Sequence, residues 1–241
     1  QQAILTTETH LEKLVSECFV LWKPKDVISG DMIWSKEHED GFALAVLDCT
    51  GHGVPGGVMT MAAVSSLNRV ISEIGVQDPH RILQEVSRVV QSMLSNTDES
   101  QFSDDGLDMG LCVYKRSNQT LLYAGSRLSI FYEQDDQLVE QKGDKQSLGY
   151  RSSNPDFPFQ TYTIQLQDRM TFYLATDGVH DQIGEERGLP FGKRRFLSYL
   201  EGIRKKSLPE QKQDFIQMLK GFQGREEQRD DITVVGCRIE I

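Results

Sequence analysis

Short stretches of period-two hydrophobicity come in blocks along this chain, and the helical stretches between them come in pairs. Residues 27–34 and 42–47 alternate or run apolar around the turn Glu39-Asp40-Gly41 and read as a hairpin. Residues 54–74 and 79–94 read as two helices. Gly75 closes the first, and Asp78 with Pro79 opens the second. After a polar loop over 95–105, period two returns at 107–114, 120–125, 129–132 and 137–140. Residues 162–166 and 169–175 are expected to form another hairpin around Gln167-Asp168. Helices over 194–203 and 209–221 precede a last strand, 232–239. Strand blocks segregated from helix pairs predict an α+β fold with antiparallel pairing, not a doubly wound parallel sheet.

Ahead of this pattern, residues 3–20 are predicted to form an amphipathic helix. Leu11, Leu14, Val15 and Cys18 fall on one stripe, Thr6 or Thr7 caps the start, and Lys23-Pro24 ends it. Its apolar stripe either packs on the domain or pairs with another chain. The 241 residues suffice for one domain that buries roughly 70–75% of its unfolded surface. At 38% hydrophobic and 26% charged residues, disorder is excluded. No apolar run approaches the ~18 residues of a membrane helix. The chain begins at Gln1 and is read as the cytoplasmic piece of a longer protein, whose upstream part would hold a sensor or membrane anchor.

A net charge of −10 argues against nucleic-acid binding, which needs a basic surface. It allows carboxylates to cluster around hard cations. Cys18, Cys49, Cys112 and Cys237 include no C-x-x-C pair, and their apolar neighbours mark them as buried reduced thiols. Acidic residues stand at strand ends: Asp31 after Gly30, Asp48 after the run 42–47, Asp177 after 170–175, and Asp230-Asp231 ahead of the last strand. Each one alone is ordinary turn chemistry. Together, at the ends of one set of strands, they would repel each other unless protons or cations intervene, and an all-oxygen donor set suits Mg²⁺ or Mn²⁺. Gly51-His52-Gly53-Val54-Pro55-Gly56 matches G-x-G-x-x-G, but no second parallel strand with an acidic ribose ligand follows. A dinucleotide-binding oxidoreductase is therefore a remote alternative, and the glycines are read as close-packing positions.

Four motifs occur in order: Ile28-Ser29-Gly30-Asp31, Val46-Leu47-Asp48-Cys49-Thr50-Gly51-His52-Gly53, Leu174-Ala175-Thr176-Asp177-Gly178 and Asp230-Asp231-Ile232-Thr233-Val234-Val235. This set resembles the PPM metal-dependent serine/threonine phosphatases, in the bacterial branch named for stage II sporulation protein E. The segment Asp105-Gly106-Leu107-Asp108-Met109-Gly110-Leu111-Cys112 resembles a strand of its sensor-linked members, and the wording is similar to the output domain of SiaA-type sensor phosphatases.

The resemblance implies an antiparallel β-sandwich flanked by helix pairs. Residues 23–241 would form the phosphatase domain and residues 1–22 a regulatory or linker helix. It implies two divalent cations, Mg²⁺ or Mn²⁺. Asp48 would bridge them, Asp31 and the Cys49 carbonyl would serve one, and Asp177 and Asp230 the other. Asp181 and Asp231 would sit nearby or reach a third ion; Ser126 stands where some relatives carry an extra metal-binding Asp. Asp48 and Asp31 are then the catalytic pair. Lys23, Lys25 and Arg127 are candidate phosphate contacts by charge and neighbourhood. His52 is offset by two residues from the general-acid histidine of eukaryotic relatives and is read as a loop-packing side chain. The implied substrate is a phosphoserine or phosphothreonine on a STAS-like regulatory protein in a partner-switching pathway. No nucleic acid or membrane contact is expected within the chain, and the first helix is where a homodimer would form. A phosphatase fold that only binds its partner is the competing reading.

Overall fold

A computed structural model describes residues 1, 5–95 and 104–241. Among the described residues ten strands pair antiparallel in two five-stranded sheets. The first sheet has the order β1 (Glu17–Lys23), β10 (Ile232–Ile239), β9 (Met170–Ala175), β6 (Ser129–Gln134), β7 (Gln137–Lys142). The second has the order β2 (Asp31–His38), β3 (Gly41–Cys49), β4 (Leu107–Lys115), β5 (Thr120–Ser126), β8 (Tyr162–Gln165).

Residues from both sheets, among them Ile33, Leu44, Val46, Tyr123, Phe172, Leu174 and Val235, fill the core between them. The outer face of the second sheet is covered by α2 (Gly53–Ile74) and α3 (Pro79–Ser95), through Met59, Ala63, Leu67, Ile82 and Val86. The outer face of the first is covered by α5 (Lys193–Ile203) and α6 (Leu208–Gln223), through Phe196, Leu200, Phe215 and Leu219. The result is a four-layer α+β sandwich, as the sequence predicts.

Two expectations are corrected. The helix expected over 3–20 is, among the described residues, a single turn, α1 (Glu8–Leu11), capped by Thr7, and the chain then enters β1. Leu11, Val15 and Cys18 are buried as the stripe requires, but in the core between the sheets. The run Cys18-Phe19-Val20-Leu21-Trp22 favours a strand, and pairing along the whole of β10 outweighs helical spacing. A boundary at residue 22 would cut this strand. The second correction concerns residues 162–175. β8 pairs with β5, whereas β9 pairs with β10 and β6, so Gln167-Asp168 carries the chain from one sheet to the other instead of closing a hairpin. The polar loop expected over 95–105 lies largely outside the described residues. All four cysteines are buried free thiols.

Candidate metal centre at the strand ends

The register of the second sheet places three carboxylates in a row. Asp31, at the start of β2, is opposite Asp48 near the end of β3, and Asp48 is opposite Asp108 at the start of β4. The first sheet brings Asp177 to the same place from beyond the end of β9, at the N-cap of the one-turn helix α4 (Gly178–Asp181), and Asp230 from the approach to β10. Asp48 feels the charges of Asp31, Asp177, Asp108 and Asp230 together. The two sheets therefore deliver their acidic strand ends to one region.

Asp31 is 2% exposed. The hydroxyls of Thr176 and Thr233, both on the other sheet's side, donate to its Oδ2 at 2.7 Å each and fix the carboxylate plane. Burial pushes its carboxyl up to about 7 against the pull of those two hydroxyls, and the charges of Asp231 and Asp230 add to the rise. Burial, then the neighbouring carboxylates, holds Asp48 well above the usual range. Asp177 has its side chain at the solvent edge, yet desolvation at the carboxyl, followed by repulsion from Asp181, Asp230 and Asp108, pushes it to about 6. Asp48 and Asp177 stand within hydrogen-bonding reach of each other.

The neighbours of this row are arranged to hold it. Asp231 is 3% exposed and spends both oxygens on backbone amides, accepting from Lys25 at 2.7 Å and from Gly30 at 2.6 Å. It thereby pins the loop that delivers Asp31. The glycines of the G-x-G-x-x-G stretch pack tightly here: a Cβ at Gly56 would lie 2.2 Å from the Gly51 carbonyl oxygen, and one at Gly30 would lie 2.4 Å from that same atom. Only glycine lets α2 begin this close to the loops after β3 and before β2. The Thr60 hydroxyl, 2.8–3.2 Å from the carbonyls of Ser29, Gly30 and Gly56, ties the loop before β2 to the first turn of α2. The Cys49 amide donates to the Gly30 carbonyl at 3.1 Å, and burial keeps its thiol far too basic to act as a nucleophile.

The three candidate phosphate contacts separate. Lys23 reaches Gln223 at 3.2 Å. Lys25 lies 2.9 Å from His52 Nε2, and His52 Nδ1 is 2.5 Å from Asp26, so His52 belongs to an exposed loop cluster. Arg127 shares a cleft with Asp108. Asp181 ends α4 and acts on Asp177 through its charge.

Sequence reasoning assigned no role to Asp108, Thr176 or Thr233. Asp108 Oδ1 is buried without a hydrogen-bond partner among the described residues, and burial raises its carboxyl, partly offset by Ser147 and Arg127. The signal was present in the motifs themselves: two threonines beside strand-end aspartates, and an aspartate flanked by Leu107 and Met109 at a strand start.

The donor chemistry suits hard divalent cations. The atoms that converge are carboxylate oxygens, one is stranded without a partner, and no Lys or Arg makes an ion pair with Asp31, Asp48, Asp108, Asp177 or Asp230 among the described residues. Among those residues no three His, Cys, Asp or Glu side chains are drawn to ligating distance of a single point.

Comparison with known proteins agrees with this architecture. Residues 38–240 match the family model described as stage II sporulation protein E (SpoIIE). The solved SiaA-PP2C domain of Pseudomonas aeruginosa is 36% identical, with a TM-score of 0.88, over 99% of this chain and 92% of that one. The PP2C phosphatase domain of SpoIIE from Bacillus subtilis, with a fragment of its regulatory domain, is 13% identical with a TM-score of 0.71, over 93% of this chain and 62% of that one. RsbX in complex with magnesium is 15% identical with a TM-score of 0.60, over 92% and 93%. The last two likenesses carry the fold alone. No curated protein sequence matches the chain. With the family model spanning most of the chain and a phosphatase domain matching it from end to end, the chain belongs to the SpoIIE family of PPM-type serine/threonine phosphatase domains.

Proposed function

We propose that the chain removes phosphate from phosphoserine or phosphothreonine on a STAS-like regulatory protein, using two divalent cations, Mg²⁺ or Mn²⁺, held at the strand ends. The observation that carries this reading is the meeting of Asp31, Asp48 and Asp177 from two sheets with their carboxyls raised and no protein cation to balance them. Asp48 stands between Asp31 and Asp177 and would be shared by both ions. Asp31 and the Cys49 carbonyl would serve one, and Asp177 and Asp230 the other. Bound there, the cations would supply Lewis acidity, making a water more acidic and neutralising phosphoryl oxygens.

The chain's own part is preorganisation. Thr176 and Thr233 keep Asp31 in one orientation, and Asp231 fixes the loop before it. All four thiols are buried, so no cysteine is offered as a nucleophile, which agrees with direct attack by water. The partner-switching substrate is supported by structural relatives from a cell-fate determinant and from a bacterial stressosome system. Residues 1–22 would carry regulation by a short route: the Gln1 side chain bonds both backbone groups of Ser29, two residues before Asp31. Among the described residues no helix is long and apolar enough to cross a membrane, so an anchor would lie elsewhere in a longer protein.

The test is phosphate release from p-nitrophenyl phosphate and from a phosphoserine peptide with Mn²⁺, with Mg²⁺ and with chelator. Turnover should need a divalent cation and fall at least about 10³-fold in Asp48→Ala. Turnover that survives chelation, or is indifferent to Asp48→Ala, would overturn the proposal.

A further inference from the structure

A cleft of about 410 Å³ opens beside the carboxylate row and shares Asp108 with it. Arg127 and Lys145 line it, together with Ser147 and Tyr150. In a chain of net charge −10, this cleft carries two cations against one carboxylate, and neither cation makes an ion pair among the described residues.

Both walls are built to stay in place. Arg127 has a φ of +57°, a left-handed conformation that glycine or asparagine adopts at lower cost. The turn holds it there: the Arg127 amide donates to the Asp144 carbonyl at 2.7 Å, and the Leu128 amide to the Ser126 carbonyl at 2.7 Å. The facing segment is fastened by Ser126 Oγ to the Gln146 carbonyl at 2.7 Å and by Gln91 Nε2 to the carbonyls of Tyr150 and Ser153 at 2.8 and 3.1 Å. The Tyr150 hydroxyl lies 2.7 Å from Thr50 Oγ1, two residues beyond Asp48.

We propose that this cleft is a docking subsite for an acidic peptide segment next to the phosphorylated residue of the substrate. Arg127 and Lys145 pair with its carboxylates. The proposal rests on the phosphatase reading, because the cleft adjoins the carboxylates to which a phosphorylated side chain would be brought. It assigns a specificity role to residues on the β5–β6 turn and the segment after β7, away from the aspartates that hold the ions.

The test uses two phosphoserine peptides, one flanked by glutamates and one by alanines. The variants are Arg127→Asn, which tolerates the left-handed backbone, Lys145→Gln, and the double variant. The wild type should prefer the acidic peptide by about tenfold in kcat/KM, through KM and less so at high salt. Each single variant should cut that preference severalfold, and the double variant should bring the ratio near one. A wild-type ratio near one, or a ratio unchanged in the double variant, overturns the proposal.

A second arm is independent of turnover: fluorescence anisotropy of a labelled glutamate-rich peptide, with alanine in place of phosphoserine, on metal-free protein. Binding at least fivefold weaker in the double variant supports docking, and equal binding overturns it. If the wild type releases no phosphate from either peptide with Mn²⁺ or Mg²⁺, the phosphatase reading fails, and the anisotropy arm alone decides the docking subsite.

Discussion

Two clusters of carboxylates lie at opposite ends of strand β9, about 20 Å apart along its length, and they are balanced by opposite means. Near the start of the strand, Glu133, Asp136 and Glu201 gather around Arg204, whose side chain is 7% exposed. Its guanidinium reaches Glu201 at 2.8 Å, Glu133 and Asp136 at 3.3 Å each, and the Asp136 carbonyl at 2.6 Å. Past the other end, Asp31, Asp48, Asp108, Asp177 and Asp230 meet with hydroxyls and amides but no cationic side chain in ion-pair range among the described residues. The first cluster carries its own counter-charge and is a structural joint between the sheet and α5. The second has no cation in ion-pair range; Arg127 and Lys145 stand in the cleft beside Asp108 without pairing to it. On the reading proposed above, divalent cations from solvent would complete it.

The sharpest way to break this comparison is to remove the central member of each cluster. Asp48→Ala should abolish cation-dependent phosphate release, by at least about 10³-fold, and leave the protein folded. Arg204→Ala should keep turnover within about threefold at 20 °C but lower unfolding free energy by about 2–3 kcal/mol in denaturant titrations. The figure falls below that of a fully buried pair because Asp136 and Glu201 are largely solvated. If Arg204→Ala lost turnover while Asp48→Ala lost only stability, the roles of the two clusters would be reversed.

Protonation gives a second contrast, of intermediate size. With Asp31 at about 7 and Asp177 at about 6 in the folded protein, and both near 4 when unfolded, the folded state holds more protons than the unfolded one between about pH 4 and pH 7. These carboxyls make the stability of the cation-free protein fall as pH rises through that window, and they outnumber the one opposing group, His180, which burial lowers to about 4. Thermal melts in chelator should give a higher Tm at pH 5.5 than at pH 8, and saturating Mn²⁺ should raise Tm at pH 8 and flatten the slope. A Tm in chelator that climbs from pH 5.5 to pH 8 would contradict the raised carboxyls. The smallest effect belongs to Asp48→Asn, which removes one charge from the crowd. It should raise the Tm of the cation-free protein by roughly 2–6 °C while blocking turnover. No gain in Tm would mean that repulsion at this site is already relieved within the protein.

The same contrast explains what could be read from the sequence. Asp48 alone is ordinary turn chemistry; it was legible because it ends the apolar run 42–47 as one of a set of strand-end carboxylates inside motifs that resemble a known family. Asp177 and Asp230 were legible for the same reason. Asp108 was not, since an aspartate between Leu107 and Met109 looks like any outward-facing strand residue until β3 and β4 are put in register. The roles of Thr176 and Thr233 depend on contact between two sheets, which no local pattern encodes. At the N-terminus, Leu11, Leu14, Val15 and Cys18 satisfy helical spacing and a turn followed by a strand equally well. Only the pairing of β1 with β10 decides between them. Gln167-Asp168 likewise looks the same whether the chain turns back within a sheet or passes to the next one.

The central claim is that the strand-end carboxylates form a site completed by divalent cations, and calorimetric titration of Mn²⁺ into cation-free protein at pH 7.5 tests it most directly. The expected result is about two ions bound per wild-type chain, with proton release on binding and loss of most of that binding in Asp48→Asn. Absence of binding to a folded wild type, or the same stoichiometry and affinity in Asp48→Asn, would contradict it.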